Sequence, residues 1–414
     1  MSFEGVKVNK LNGGLGRGAN NEDRVICLVA GATETADIVH KKAIELLDIT
    51  NAETLGITAA SDANSGELTH YHLSEMFRLC PGVRIWLIPV DKTMTAAQMV
   101  ADADMLSAIR SIKDVNVIGI AGIASAPVAT ITPDVLALQG MVNAFAKEHL
   151  LLDGVILEGV ASAANADYFN NGVDLPNLRE LTAPNVSVVI GSDPAQTALH
   201  ADYTGRAAIG TVLGSVAVRA VHEDLGSVDI ETKPGNRKGE ESFSLSDQIT
   251  GRWLSATLSD GTPFENLTSA QQKNLSDKGY IYVGTFADYD GFYLSGCPTA
   301  VEKKSDFAYF NYNCIWNKAA RIIRRTLIPR VRSKVPTDPE TGNIRSTWIA
   351  DCEGLVLKRL EPMISAGNIE GSDVLINPAQ TASEDVPMKV RAQVVVGQIV
   401  HEFEVDLGLT NKIE

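Results

Sequence analysis

A glycine-rich segment is the first candidate for chemistry, because closely spaced glycines allow backbone amides to hold a phosphate group. The segment Gly13–Gly18 reads Gly-Gly-Leu-Gly-Arg-Gly. Both common nucleotide-binding loops follow a strand and open a helix, whereas these glycines precede the first predicted strand. After that strand, Gly31–Glu34 lacks the spaced glycines of a dinucleotide site. Gly13–Gly18 is therefore predicted to be a flexible tether, and no cofactor is expected.

Histidines and cysteines are the next candidates, because they are common metal ligands. His70 and His72 flank Tyr71 at a spacing that would place two imidazoles on one side of a strand, but no third ligand accompanies them. Surface or helix-capping histidines are the better interpretation. The five cysteines are scattered without zinc or redox spacing, which predicts reduced, mostly buried thiols. No metal site is expected.

Nucleophilic catalysis has no support in the sequence. The Ser-Asp pairs that begin at Ser61, Ser192 and Ser246 are ordinary turn and helix-cap pairs. No Gly-x-Ser-x-Gly elbow is present to hold a nucleophile. No catalytic residue is predicted.

Positive charge is concentrated in one segment of an acidic chain. The net charge is −15, yet Lys318–Lys334 contains seven basic and no acidic residues. At helical spacing, an apolar stripe made by Ile315, Ala319, Ile322, Ile323 and Leu327 lies opposite Lys318, Arg321, Arg324 and Arg325. These cations either pair with acids of the same protein or form a contact strip for an acidic partner.

Composition excludes several classes of protein. The overall negative charge argues against nucleic-acid binding, which needs a basic face. No apolar run approaches the ~18 residues that span a membrane, and Pro329 ends the basic helix, which disfavours a membrane-surface role. No signal segment is recognised. The 414 residues predict two or three domains. The scattered cysteines predict that the protein folds in the cytoplasm.

Alternation of strand and helix patterns indicates an α/β fold. Near-continuous apolar runs predict buried strands, and helical periods lie between them. The predicted strands are Val25–Ala30, Val83–Val90, Val115–Ala121, Gly154–Glu158 and Val186–Gly191. The predicted helices are Thr35–Leu47, Leu68–Leu79, Thr95–Ile112, Asp134–Leu151 and Arg206–Leu225. Together they predict a mostly parallel, doubly wound N-terminal α/β domain.

The rest of the chain predicts a second domain of α+β type. A hairpin is expected from Tyr280–Phe286 and Gly291–Leu294, followed by helices at about Asn311–Leu327 and Ser346–Ser365. We therefore divide the chain into an extended arm (1–24), an α/β domain (25–230), an irregular linker (231–278) and a C-terminal domain (279–414).

Both ends of the chain have an extended character. Phe3, Val6 and Val8 begin a short arm, and short strands at Asp373–Asn377 and Met388–Leu409 follow the last helix. The final run alternates with period two, so that Ile399, Phe403, Val405 and Leu407 share one face. A strand at a chain end needs backbone partners. This pattern predicts subunits that exchange strands with their neighbours.

These segments resemble the contractile tail sheath proteins of myophage-type tails, tailocins and related injection systems. The resemblance is carried by the β-unit Gly279–Leu294, by Asn311–Lys318 leading into the basic helix, and by Ile344–Trp348 before the next helix. The segment Tyr203–Gly226 is similar to a divergent, Bacteroidetes-type sheath group. The resemblance covers most of the chain in order of elements.

The resemblance implies a structural, non-enzymatic subunit of a phage tail or phage-tail-like particle. Sheath subunits stack as six-membered rings around an inner tube and contract between two packings of nearly rigid subunits. Self-association, the tube protein, and baseplate and terminator proteins are the implied partners. Strands at both termini would cross into neighbouring subunits: Phe3, Val6, Val8, Ile399, Phe403, Val405 and Leu407. The basic helix would face the tube through Lys318, Arg321, Arg324 and Arg325.

Two other interpretations stay open at this point. An α/β enzyme of unknown substrate would use the carboxyl ends of the parallel strands, near Gly31, Asp91, Gly122 and Ser192. A different tail or baseplate component with a sheath-like domain would form rings but no open-ended cylinders.

Overall fold

A computed structural model describes residues 23–161, 168–169, 175–228, 243–380, 386–405 and 407–409. The chain divides into two compact units, Met1–Asn317 and Lys318–Glu414. The sequence-based boundary at residue 279 differs from this division. The N-terminal arm with Phe3, Val6 and Val8, and the tether Gly13–Gly18, lie outside the described residues.

A seven-stranded sheet forms the centre of the first unit. The strands among the residues that the structure describes are β1 (Ile26–Gly31), β2 (Ile44–Leu46), β3 (Ile85–Val90), β4 (Val117–Ala121), β5 (Gly154–Glu158), β6 (Thr182–Ala183), β7 (Val186–Val189), β8 (Gly191–Ser192), β9 (Thr257–Leu258), β10 (Tyr280–Ile281), β11 (Val283–Phe286), β12 (Tyr289–Leu294), β13 (Ala300–Val301), β14 (Gly371–Ile376) and β15 (Val390–Val395). The strand order of the seven-stranded sheet is β10-β7-β5-β4-β1-β3-β2, and the pairs within it are parallel except for β2 with β3 at one edge.

Helices connect and cover these strands. They are α1 (Ile49–Thr54), α2 (Ala59–Ser65), α3 (Thr69–Leu79), α4 (Ala96–Ala101), α5 (Ala103–Ser111), α6 (Thr132–Lys147), α7 (Pro194–Thr197), α8 (Ile209–Val218), α9 (Ser269–Lys278), α10 (Phe310–Leu327) and α11 (Ser346–Ser365). Successive residues of β1 point to opposite faces: Ile26 and Leu28 join one buried cluster, whereas Cys27 and Val29 join a second. The sheet is therefore packed on both faces, as its continuous apolar strands predict.

The predicted helix Thr35–Leu47 is wrong. The segment instead crosses the edge of the sheet, where Lys41 N donates to Pro89 O (2.8 Å) and Ile44–Leu46 pairs antiparallel with β3. The open edge of β3 needs backbone partners, and this long-range pairing overrides the local helical period. Two other predicted helices are shorter than expected: Asp102 ends α4 and caps α5, and α8 covers only Ile209–Val218.

Helices α3 and α8 pack at unusually close range through two glycines. A Cβ on Gly210 would lie 2.3 Å from the backbone oxygen of His72, and one on Gly214 would lie 3.0 Å from Leu79 Cβ. Only glycine allows the two helices to approach this closely. The contact holds α8 against one face of the sheet, where its residues are almost all buried.

Side chains from neighbouring helices cap both of these helices. The N-cap positions of α3 and α8 make no side-chain cap hydrogen bond of their own. Instead Asp62 accepts from Tyr71 N (3.0 Å), and His72 Nδ1 accepts from Gly210 N (3.2 Å). Each bond satisfies a backbone donor that the helix itself cannot. His72 is thus a capping histidine, as expected, but a fully buried one.

The region between α8 and α10 belongs to the first unit from residue 243 onward. Trp253 is fully buried; its backbone N donates to Asp193 (3.2 Å) and its Nε1 to Thr211 (3.2 Å). The predicted hairpin forms as β11 with β12. The two residues before it, Tyr280–Ile281, instead extend the seven-stranded sheet beside β7.

The second unit has a small core between α11 and the hairpin β14–β15. Ile344, Ile349, Cys352 and Ile376 form a buried cluster to which Met388 and Val390 add. Helix α11 spans Ser346–Ser365, the bounds predicted from its apolar spacing. Within the predicted strand Met388–Leu409, Val390–Val395 pairs with β14, and the other residues of that range that the structure describes form no strand.

Candidate assembly interface

Helix α10 is amphipathic, as its sequence predicts. Ile315 and Ala319 are buried, and Ile322, Ile323 and Leu327 are half-buried. Among the cations of the predicted tube-facing helix, Lys318 and Arg321 are half-buried, while Arg324 and Arg325 are exposed. The Lys318 ammonium donates to Asn368 Oδ1 (2.8 Å). This hydrogen bond gives Lys318 a structural contact within the second unit. By their exposure, Arg324 and Arg325 are the most accessible cations of the four.

The positive charge of Lys318–Lys334 continues beyond α10, where the cations are of two kinds. Arg330 forms an ion pair with Asp351 (2.6 Å), and its guanidinium lies 5.8 Å from the Trp348 ring centroid. The interaction with Asp351 raises the pKa of Arg330 above its ordinary value. Arg332 and Lys334 are exposed and have no ion-pair partner among the described residues. The segment thus combines an anchoring arginine with outward-facing charge.

The C-terminal segment presents apolar side chains to solvent. Phe403, Val405 and Leu407 are exposed and Ile399 is half-buried. No strand is present in the parts of 396–409 that the structure describes. Apolar residues that alternate along an extended segment and remain uncovered are typical of a strand that pairs with another chain.

The hairpin β14–β15 is the nearest backbone template in sequence for such pairing. Each of its strands pairs only with the other within the part of the chain that the structure describes, and two-stranded sheets are marginal by themselves. Val374 and Ile376 are buried on the α11 side, whereas Leu375 is exposed between them. The free edges are therefore able to accept additional strands.

The carboxyl ends of the sheet are the place where an α/β enzyme would bind its ligand. The strand order reverses between β1 and β4, and at that point Gly31 and Gly122 touch. A Cβ on Gly31 would lie 2.0 Å from Gly122 O, so the two backbones are in direct contact and leave no room between them for a side chain. This contact disfavours a nucleotide at the point where such sheets bind one.

A buried carboxylate closes the same edge of the sheet further. Glu158, fully buried at the end of β5, accepts from Gly122 N (2.8 Å), Ala207 N (3.2 Å) and Arg206 Nη1 (3.1 Å). These bonds occupy both carboxylate oxygens, which makes Glu158 a structural brace. No motif in the sequence predicts this role, although an acid that ends a fully apolar strand is a detectable signal.

The other residues named for the enzyme alternative, Asp91 and Ser192, differ in their partners. Asp91 is hydrogen-bonded locally, whereas the buried Ser192 hydroxyl has no hydrogen-bond partner among the described residues. The Asp91 carboxylate accepts from Thr93 N (2.8 Å) and the Thr93 hydroxyl (2.7 Å), which lowers its pKa. Ser192 is buried in the short pairing of β8 with β9. A surface depression of about 460 Å³ lies beside Asp91 and Asp102, and Asp102 is occupied in capping α5. None of these features assembles a catalytic group.

Possible metal ligands, cysteines and membrane-spanning helices complete the description of candidate sites. Among the described residues, no group of three or more histidine, cysteine or acidic side chains is arranged to hold a metal ion. All five cysteines are unpaired and buried, as expected, and burial raises the pKa of the Cys27 and Cys297 thiols. No described helix has the length and apolarity needed to cross a bilayer.

Family models match nearly the whole chain. The model for the DUF2586 N-terminal domain matches residues 3–297, and the model for the DUF2586 C-terminal domain matches residues 306–414. No curated protein sequence matches the chain. The family description itself carries no function.

Solved structures of contractile systems share the fold over its whole length. A chain of the anti-feeding prophage helical sheath, in its contracted state, matches with 15% identity, a TM-score of 0.60 and full coverage of both chains. A chain of the anti-feeding prophage baseplate matches with 15% identity, a TM-score of 0.61 and 99% coverage of both. The contracted sheath complex of the extracellular contractile injection system PVC matches with 14% identity, a TM-score of 0.56 and coverage of 100% and 98%. The resemblance to sheath proteins is thereby confirmed at the level of the fold.

Proposed function

The chain belongs to the DUF2586 family and has the fold of contractile sheath proteins, and on this premise we propose that it is a structural subunit of a contractile tail sheath. Its copies stack as six-membered rings around an inner tube and contract to drive that tube through a target envelope. One observation carries the proposal: the likeness to a helical sheath spans both chains completely. Isolated α/β sheets occur in many enzymes, but this likeness includes the second unit as well.

Strand exchange links the subunits in this proposal. The outgoing C-terminal strand carries Ile399, Phe403, Val405 and Leu407, and the outgoing N-terminal strand carries Phe3, Val6 and Val8. The exposed apolar residues at the C-terminus and the free edges of β14–β15 support this arrangement. Backbone hydrogen bonds between subunits would act as hinges that persist while other contacts repack.

The basic helix faces the inner tube in this proposal. Arg324 and Arg325 are its most accessible cations, with Arg321 beside them. Charge at such a surface guides docking and register more than it adds affinity. Baseplate and terminator proteins would contact the two ends of the sheath, and the particle would be assembled in the bacterial cytoplasm. The subunit itself would have no enzymatic activity and would bind neither nucleic acid nor membrane.

Assembly is the direct test. Expressed alone or with its tube protein, the chain should form long striated cylinders visible by negative-stain microscopy. Removal of residues 399–414 should abolish the cylinders, while circular dichroism and thermal melting show that the subunit stays folded. A product that remains monomeric at high concentration contradicts the sheath function, and cylinders that survive trimming contradict strand exchange alone.

A baseplate component with a sheath-like fold is the second candidate. It is favoured by the likeness to a chain of the anti-feeding prophage baseplate. Such a component would form closed rings and no open-ended cylinders. The same micrographs therefore separate the two candidates.

A further inference from the structure

The hairpin β11–β12 in the first unit ends in an exposed aromatic and acidic tip. Phe286 and Tyr289 form the last cross-strand pair, and their side chains are 53% and 39% exposed. Asp288 and Asp290 are also exposed, and within the described parts of the chain neither has an ion-pair partner. We call residues 286–290 the hairpin tip.

The hairpin tip is held in one conformation by the residues beneath it. Buried Tyr293 lies 5.7 Å from the ring of Phe286 and 6.0 Å from that of Tyr289, and its hydroxyl donates to Asp290 O (2.9 Å). Strand β12 is also hydrogen-bonded to a preceding segment of the same polypeptide, since Phe292 O accepts from Leu245 N (2.8 Å). A rigid surface of this kind loses little conformational entropy when it binds.

A second exposed patch in the second unit has the opposite charge. The residues after α10 present Ile328 (52% exposed) and Val331 (68% exposed) together with Arg332 and Lys334, which are exposed as well. We call residues 328–334 the basic segment. The basic segment therefore presents two apolar side chains and two cations, whereas the hairpin tip presents two aromatic rings and two carboxylates.

The basic segment is also held in place. Arg330 anchors it through its ion pair with Asp351 (2.6 Å). The Ser333 hydroxyl closes the turn by donating to Arg330 O (2.7 Å), and Val331 N donates to Ile328 O (3.0 Å). The outward groups are therefore presented by a fixed backbone.

We propose that the hairpin tip of one copy docks on the basic segment of a neighbouring copy. The carboxylates of Asp288 and Asp290 would pair with Arg332 and Lys334, and the aromatic rings would cover the apolar side chains and stack on the arginine. The inference rests on the proposed self-assembly and names one contact within it. The hairpin tip supplies aromatic residues and the basic segment supplies arginine, the residue types that are enriched in interface hot spots.

The chemistry selects a second copy of this chain as the occupant. A subunit of net charge −15 repels its copies, so an attractive contact requires an acidic patch to meet one of the few basic ones. The contact joins two different surfaces, which makes it heterologous. Contacts of this type continue from copy to copy and produce open helical assemblies.

Charge reversal tests the contact from each side. The tip-reversed variant carries Asp288→Lys and Asp290→Lys, and the segment-reversed variant carries Arg332→Glu and Lys334→Glu. Each alone should raise the protein concentration needed for cylinder formation at least tenfold, measured by sedimentation and electron microscopy. The defect of the segment-reversed variant should diminish as salt rises. Matched controls reverse exposed charges elsewhere: Asp37→Lys with Glu265→Lys, and Lys358→Glu with Arg359→Glu.

Mixing the two variants is the decisive experiment. In a one-to-one mixture the reversed tip meets the reversed segment and the native tip meets the native segment, so cylinders should return and contain both variants in equal amounts. Failure of the mixture to assemble, with rescue only when all four changes lie in one chain, overturns the proposal in favour of a contact within the subunit. Normal assembly of both single variants overturns it outright.

Other outcomes separate this inference from the proposed function. The segment-reversed variant is also informative when the tube protein is present. If its assembly defect appears only with the tube protein, and mixing with the tip-reversed variant does not restore assembly, the proposed contact between copies is refuted. If a charge-reversed variant melts below the wild type, the neutral forms Asp288→Asn with Asp290→Asn, and Arg332→Gln with Lys334→Gln, should give smaller defects of the same sign. Wild-type protein that forms no cylinders refutes the sheath function itself, whereas normal wild-type cylinders with unaffected variants refute only this contact.

Discussion

Replacing the apolar face of the C-terminal segment is the sharpest test of strand exchange. The triple variant Phe403→Ser, Val405→Ser and Leu407→Ser keeps the length of the chain and every backbone donor and acceptor. It removes only the apolar side chains that the isolated subunit leaves uncovered. We therefore expect it to weaken association between subunits without weakening the fold.

The magnitude follows from the exposure of these three side chains, which are 82%, 77% and 90% exposed. Burying such a side chain completely stabilises by roughly 1.5–3 kcal/mol. Scaled by the exposed fractions, the three together contribute roughly 4–7 kcal/mol of association free energy per subunit. Incomplete burial and the cost of ordering the segment offset part of this. A loss of about 2.8 kcal/mol, which is a hundredfold rise in the critical concentration, is the minimum expected.

The assay measures the critical concentration by sedimentation across a dilution series, with negative-stain images of each pellet. The control variant Glu402→Gln with Glu404→Gln changes the intervening positions on the opposite face and should assemble near the wild-type concentration. Thermal melting of the unassembled subunits should be the same for all three proteins. If the triple variant forms cylinders at the wild-type concentration, the C-terminal segment does not bury its apolar face between subunits, and the strand-exchange reasoning is refuted.

Three further predictions concern the fold and the tube contact. Gly210→Ala should lower the free energy of unfolding by about 1–3 kcal/mol, because its Cβ would lie 2.3 Å from the backbone oxygen of His72. Gly140→Ala, with open space around its Cβ, should instead stabilise by about 0.5–1 kcal/mol. Equal effects of the two substitutions in denaturant titrations would contradict the packing argument. Burial lowers the pKa of His72 from 6.5 to about 3, so the neutral cap stabilises fully above pH 6.5 and loses about 2 kcal/mol by pH 5; His72→Asn, which cannot titrate, should flatten that slope. Arg321→Glu with Arg325→Glu should reduce co-purification with the tube protein, more at low salt than at high salt. Unchanged co-purification would indicate that these arginines of α10 act within the subunit and do not contact the tube.

Much of the architecture could be predicted because its signals are local. The core strands were recognised from continuous apolar runs, and β5 and α11 have the predicted bounds. The helix Thr35–Leu47 was predicted wrongly because the edge of β3 supplies backbone partners that no local window contains. Tyr280–Ile281 was placed in a hairpin for the same reason, although its partner is β7, about ninety residues earlier in the chain.

The candidate interface was predicted in part. The basic helix and the apolar alternation at the C-terminus are patterns of residue type, and they are visible in the sequence. The sequence predicts the hairpin but not an interface at its tip, because only the fold decides that Phe286 and Tyr289 face solvent. The sequence groups Lys318 with the cations that would contact a partner. Its hydrogen bond to Asn368 is not predictable from local pattern, because it depends on a residue fifty positions away.

By itself the sequence determined the α/β class, the absence of a recognisable catalytic motif, the position of the basic segment and the extended character of the C-terminus. These properties depend on composition and on periods of two or 3.6 residues, which act over a few neighbouring positions. Only the tertiary structure decided that the backbones of Gly31 and Gly122 meet where the strand order of the sheet reverses, and that the hairpin tip and the basic segment are exposed. Those outcomes depend on which backbones meet at long range, and pairing and steric contact of that kind leave no repeating pattern along the chain.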